Sequence, residues 1–158
     1  MKQKRIFWIL IASILAMDQI TKWWVMRNIF LHEDRVIVPG FFNITHVLND
    51  GVAFGLFQGR NFLFILVAIG ILAAGLWWAR KLDWRKMEIN IIGALLVSGA
   101  VGNLIDRIRI GHVIDFLDFH FREFYHWPSF NIADSCITVS VIYVFLRILF
   151  SREHKKSI

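Results

Sequence analysis

Four long apolar stretches, residues 6–26, 61–79, 89–105 and 132–150, limit what this chain can fold into more than any other feature. A helix crossing a bilayer needs about 20 predominantly apolar residues. In lipid, only helices and closed barrels satisfy their own backbone. The spacing therefore predicts an all-α integral membrane protein with four transmembrane helices, spanning about 6–26, 61–79, 89–107 and 132–150 of a single domain, 1–158. Composition agrees: 57% of residues are hydrophobic and 19% charged, too greasy a balance for an ordinary soluble fold. Seven Trp and fifteen Phe supply aromatic mass suited to the membrane–water interface. The start resembles a signal peptide, but no A-x-A-type cleavage site follows it, and the first segment is expected to be a retained helix.

A formal charge of +6 raises the question of nucleic acid, and the placement of the charges argues against it. Lys2, Lys4 and Arg5 precede the first span, Arg80, Lys81, Arg85 and Lys86 follow the second, and Arg147, Arg152, Lys155 and Lys156 close the fourth. These eleven basic residues face only Asp83, Glu88 and Glu153, whereas the remaining segments carry seven basic and nine acidic residues. That asymmetry is the positive-inside pattern, not a nucleic-acid face. It places both termini in the cytoplasm and residues 27–60 and 109–130 outside. The lone Cys136 excludes an intramolecular disulfide and reads as a small buried hydrophobe.

Within the first outer connection, Val36–Val38, Phe41–Leu48 and Val52–Phe57 are rich in β-branched and aromatic residues. Pro39-Gly40 and Asn49-Asp50-Gly51 punctuate them as turns. A small extracytoplasmic β element over about 36–57 is expected. The second connection, with Phe116, Phe119, Phe121, Phe124, Tyr125 and Trp127, reads as an amphipathic interfacial loop. Trp77, Trp78 and Trp84 mark the opposite interface.

Polar residues beside such spans are costly and point to a site. Asp18 and Lys22, four apart on the first helix, can pair. Asn49 is most simply a turn residue. Ala94, Ser98 and Gly102 make a small-residue face for close helix packing, and Asn103, Asp106 and Arg107 lie directly beyond it. Asp134, three residues after Asn131, matches a helix cap with an acidic partner. Topology places Asp18, Asn49, Asp106, Asp115 and Asp134 at one level near the outer interface, which independent structural roles do not require.

No activated Ser, second Cys or H-E-x-x-H accompanies Asp115, Asp118 and Asp134. Two carboxylates sharing one proton can activate water without them, which suggests an aspartyl hydrolase. Two other classes compete. His112, Asp115, Asp118 and His120 offer metal-ligand chemistry, though no established ligand spacing supports a metallohydrolase. Intramembrane acids also line transporters, but four helices without a broken-helix repeat speak against that.

Five motifs together resemble the bacterial lipoprotein signal peptidases, also called signal peptidase II or prolipoprotein signal peptidases. They are Asp18-Gln-Ile-Thr-Lys22, Asn49-Asp-Gly-Val-Ala-Phe54, Gly99-Ala-Val-Gly-Asn-Leu-Ile-Asp-Arg107, His112-Val-Ile-Asp-Phe116 and Phe130-Asn-Ile-Ala-Asp-Ser135. Their order and spacing agree over nearly the whole chain. The resemblance implies an intramembrane aspartyl endopeptidase that removes the signal peptide of a diacylglyceryl-modified prolipoprotein, cleaving before the lipidated Cys. It places Asp115 and Asp134 on the family's catalytic pair, choosing Asp115 over Asp118. It sets Asn103, Arg107 and Asn131 around that pair, with Asp18, Lys22, Asn49 and Asp106 in the shared motifs. The turn Asp50-Gly51-Val52 departs from the family, whose members often have an uncharged or basic residue and then Gly-Ala-Ala. Neither metal nor other cofactor is expected. The partners implied are the lipid-modified prolipoprotein and membrane lipids. The chain is expected to act as a monomer in the bacterial cytoplasmic (inner) membrane, multi-pass, with its active site near the outer face.

Overall fold

A computed structural model describes residues 2–51, 59–81, 83–122 and 124–153. The described elements run α1 (Lys2–Asn28), β1 (Asp34–Val38), β2 (Phe42–Asn49), α2 (Asn61–Ala79), α3 (Met87–Ile110), β3 (Val113–Phe121), β4 (Tyr125–His126) and α4 (Ile132–Glu153). Three of the helices, α1, α3 and α4, are long and apolar enough to cross a membrane. The fourth, α2, is apolar throughout and carries no charge. Most large apolar side chains on the outer faces of these helices are exposed, including Trp8, Leu66, Ile91, Phe145 and Ile148. A protein whose apolar surface faces lipid has that inside-out distribution.

The hub is α3, which packs along both α1 and α4 and more lightly on α2. Its inner face is made of small residues: Ala94, Ser98, Gly99, Ala100 and Gly102 are all buried. Two glycines set how close the neighbours come. A Cβ at Gly99 would sit 2.5 Å from the Ala133 carbonyl oxygen, and one at Gly102 would sit 2.7 Å from Asp18 Oδ2. Backbones can approach this closely only where side chains are absent. Two buried serines in these seams are satisfied within their own helices: Ser98 Oγ donates to Ala94 O at 2.6 Å, and Ser140 Oγ donates to Cys136 O at 2.7 Å. Cys136 is buried.

The strands form one antiparallel sheet in the order β1-β2-β3-β4. It is larger than the element expected from the first connection alone. Residues 113–121, read from sequence as interfacial loop, form its longest strand, with Asn43 opposite Asp118 and Val47 opposite Asp115. β3 is rich in aromatic and branched apolar residues and finds a partner in β2, so pairing outweighs the amphipathic-loop reading. The expected strand over Val52–Phe57 lies outside the described residues, as do the Trp78 side chain, Lys155 and Lys156. One face of the sheet is anchored on the end of α1: Val25 and Ile29 pack with Ile114 and Phe116 in a small buried core.

The sheet joins α1 to α2 and α3 to α4 at one end of the bundle. At the other end, Phe7 meets Trp84 edge-on at 5.1 Å, Tyr143 Oη donates to Glu88 Oε2 at 2.5 Å, and Arg147 pairs with Glu88. The start of α1, the 80–86 turn and the end of α4 therefore share that end.

Candidate active site

At the sheet end, α1, α3, α4 and β3 converge on a nearly continuous polar network. Its deepest part is an ion triad. Lys22 Nζ lies 2.9 Å from Asp18 Oδ2 and 2.7 Å from Asp106 Oδ2, and all three side chains are 1% exposed. Asp18 Oδ1 accepts the backbone N–H of Ala133 at 3.0 Å, so a carboxylate from α1 satisfies the first turn of α4. Gln19 Nε2 reaches Asp106 Oδ1 at 3.0 Å and Asp18 Oδ2 at 3.2 Å. Asp18 and Lys22 thus pair as their spacing suggested, but as part of a three-charge cluster linking three elements. Gln19, which with Asp18 and Lys22 interrupts the first apolar run, joins the cluster although it is not among the site residues expected from sequence.

One shell outward, Asn103 and Asn131 connect this triad to two carboxylates. Asn103 Oδ1 accepts from Lys22 Nζ at 3.1 Å and from Asn131 Nδ2 at 3.3 Å, while its Nδ2 donates to Asp134 Oδ1 at 2.7 Å. Asn131 Nδ2 also donates to Asp115 Oδ1 at 2.7 Å, and Asn49 Nδ2 donates to Asp115 Oδ2 at 2.9 Å. The side-chain donors to the two carboxylates are all amides, so both carboxylates are held in position.

Asn131 and Asp134 form a reciprocal capping box. Asp134 N donates to Asn131 Oδ1 at 2.8 Å, and Asn131 N donates to Asp134 Oδ2 at 3.3 Å. The capping reading of Asp134 is therefore correct, and it does not exhaust the residue. Asp134 also borders a cavity of about 810 Å³ together with Asp115, Asn49, Asn103 and Arg107. The cavity's outer wall is aromatic, with Phe119, Tyr125 and Trp127 among its lining. Asn49 likewise has two roles: its Oδ1 accepts Gly51 N at 3.0 Å in the turn, and its amide holds Asp115.

Arg107 Nη2 donates to Gly51 O at 3.3 Å and stacks over the Phe64 ring at 5.1 Å. The divergent turn is thereby tied to α3 through its backbone. Val52 of that turn lies outside the described residues.

Strand geometry separates Asp115 from Asp118. Successive side chains alternate faces, so residues three apart on β3 point opposite ways. Asp115 is 1% exposed beside the cavity, while Asp118 accepts from Asn43 Nδ2 at 3.1 Å on the other face. The four candidate ligands His112, Asp115, Asp118 and His120 are consequently not gathered at one point, and His112 Nδ1 instead lies 3.0 Å from Ile110 O. Burial, and next the negative charge of Asp134, push the Asp115 carboxyl up to about 7.

Comparison with known proteins decides the family. A model of the signal peptidase (SPase) II family matches residues 10–150. The chain belongs to the signal peptidase II family. Among its relatives, a lipoprotein signal peptidase of Geobacter metallireducens is 46% identical over 142 residues, covering 87% of this chain and 86% of the relative. Another, of Syntrophus aciditrophicus, is 38% identical over 98% of this chain and 99% of its own length. A bacterial membrane enzyme solved by the in meso method superposes with a TM-score of 0.86 at 31% identity, covering 94% of this chain and 90% of that one. This member of the signal peptidase II family is thus a peptidase and a multi-pass bacterial membrane protein.

Proposed function

We propose that this chain is an intramembrane aspartyl endopeptidase with Asp115 and Asp134 as its catalytic pair. Its substrate is a diacylglyceryl-modified prolipoprotein, cut immediately before the lipidated Cys. One observation carries the reading: two carboxylates from different elements, joined through the Asn131 side chain and backbone, border the same cavity. Capping alone would account for Asp134 but not for a buried Asp115 facing it.

The chemistry follows from that arrangement. One carboxylate takes a proton from water as it attacks the scissile carbonyl. The other, protonated, polarises the carbonyl and then helps protonate the leaving amine. A carboxyl pushed up to about 7 keeps a proton close to neutral pH, which the second role requires. Asn103 and Asn131 hold the pair, Lys22 with Asp18 and Asp106 holds the asparagines and the start of α4, and Asn49 fixes Asp115 from the sheet. Arg107, at the cavity edge, is placed to meet developing negative charge. The aromatic wall offers apolar surface for the substrate's acyl chains.

The test is precursor processing by purified protein in detergent, followed by mass spectrometry. Asp115→Asn and Asp134→Asn are each expected to abolish cleavage while the protein still folds, and Asp118→Asn to retain most of it. Asn preserves shape and much of the capping ability, so a folded Asp134→Asn enzyme with near-normal turnover would end the aspartyl reading.

A further inference from the structure

Further along β3 from Asp115, a second polar cluster, of which His120 also lines the cavity, has no part in that mechanism. Asp118 and His120 are two apart on β3 and share a face. His126 is the residue opposite His120 across the β3–β4 ladder. The two imidazoles stack with centroids 4.9 Å apart and 13° between their planes. One ligand atom from each of the three residues lies within 4.8 Å of the other two.

The His120–Asp118 distance fits a bound cation, and His126, whose side chain is exposed, would have to close on it from 4.0 Å. His120 Nδ1 is 3.4 Å from Asp118 Oδ2, and His126 Nδ1 is 4.0 Å from Asp118 Oδ1. His120 Nδ1 is buried yet has no hydrogen-bond partner. Zinc bonds of about 2.0–2.1 Å at tetrahedral angles set neighbouring ligand atoms about 3.3 Å apart. That matches the His120–Asp118 separation, so an ion between them would satisfy the orphaned nitrogen. The carboxylate is already oriented, because Asn43 Nδ2 donates to Asp118 Oδ2 at 3.1 Å. Such outer partners are a regular part of metal sites. Asn43 Oδ1 is a second buried atom in this region without a partner.

We propose that Asp118, His120 and His126 bind a divalent transition-metal ion that staples the two-residue β4 to β3. Two imidazoles and one carboxylate suit zinc or cobalt(II), and three protein ligands leave a position for water. The site is structural with respect to the dyad. By fixing β4 it would hold Tyr125 and the following Trp127, both of which line the cavity, in place.

Cobalt(II) titration of the full-length, chelator-stripped protein in detergent at neutral pH tests this, read by visible ligand-field absorption and displaced by zinc. One equivalent is expected to bind. Asn43→Ala should weaken binding about 10–100-fold, and His126→Ala and Asp118→Asn should weaken it further. His112→Ala, outside the cluster, should bind as the unaltered protein does. His126 is 63% exposed, so its Ala variant removes little packing and should still fold. Zinc should raise the thermal midpoint of the unaltered protein and not that of His126→Ala. Absence of stoichiometric cobalt binding would overturn the proposal, as would unchanged affinity in both His126→Ala and Asp118→Asn. Binding and cleavage are read separately, so failure of the metal site leaves the dyad untouched.

Discussion

At the scale of single residues, the two carboxylates are set apart by environment rather than by type. Asp115 and Asp118 are three apart in sequence, yet the strand's alternation buries one beside a second carboxylate and sets the other beside an amide donor and two imidazoles. The pH dependence follows. If the dyad must hold one proton, activity falls at acid pH when both groups are protonated and at higher pH when both are ionised. With Asp115 pushed up to about 7, the alkaline limb is expected to lie near or above neutrality, unlike that of an ordinary carboxylate. Stability depends on the same proton in one direction only. The folded state holds a proton on Asp115 that the unfolded chain has released, so stability falls as pH rises from about 4 to about 7. A pH series of processing rates and thermal midpoints measures both, and Asp115→Asn should flatten the stability slope. An activity that stays constant from pH 4 to 9 would contradict the shared proton.

Among elements, the decisive contact is where α1 and the first turn of α4 close on α3, with Lys22 between two acids. From sequence, Asp18 and Lys22 read as a pair in which loss of one partner costs more than loss of both. In the structure Lys22 pairs with both Asp18 and Asp106, so deleting Asp18 and Lys22 together would leave Asp106 buried without a countercharge. The order of effects changes accordingly. Lys22→Met is expected to be the most damaging single change, on the order of 3–5 kcal/mol, because it strands two buried like charges. Asp18→Asn leaves the Lys22–Asp106 pair intact and should cost much less. Adding Asp106→Asn to Lys22→Met should recover part of the loss. Thermal unfolding in detergent ranks the variants, and additive effects would show that these side chains do not interact.

For the whole molecule, the arrangement has a direction. The sheet and the polar network sit at one end, and the basic 80–86 turn, the start of α1 and the end of α4 sit at the other. Combined with the Lys/Arg asymmetry, this predicts four crossings, cytoplasmic termini and an outward-facing cavity. Under the proposed function, a site at the interface would admit water to the carboxylates while the substrate's acyl chains stay in the bilayer. Cysteine labelling in intact cells checks it: positions in 80–86 should be protected, and positions in 34–38 should react. Labelling of the 80–86 turn from outside would reverse the topology.

Helix-length apolar runs, the charge bias and the small-residue face of α3 were legible in the sequence because each is a local, periodic property. Asn103, Asp106 and Arg107 were visible for the same reason, as polar residues directly following that face. Contacts between distant segments were not. Spacing alone left Asp115 and Asp118 equivalent; the motif resemblance chose between them, and of the two only Asp115 lines the cavity. The longest strand was hidden because an aromatic-rich strand and an interfacial loop look alike until a partner strand is in place. Local pattern likewise showed Asn49 and Asp134 as a turn and a cap, which they are. Their further roles arise only where the chain returns on itself, because a carboxylate's chemistry depends on which buried amides and charges the fold sets against it.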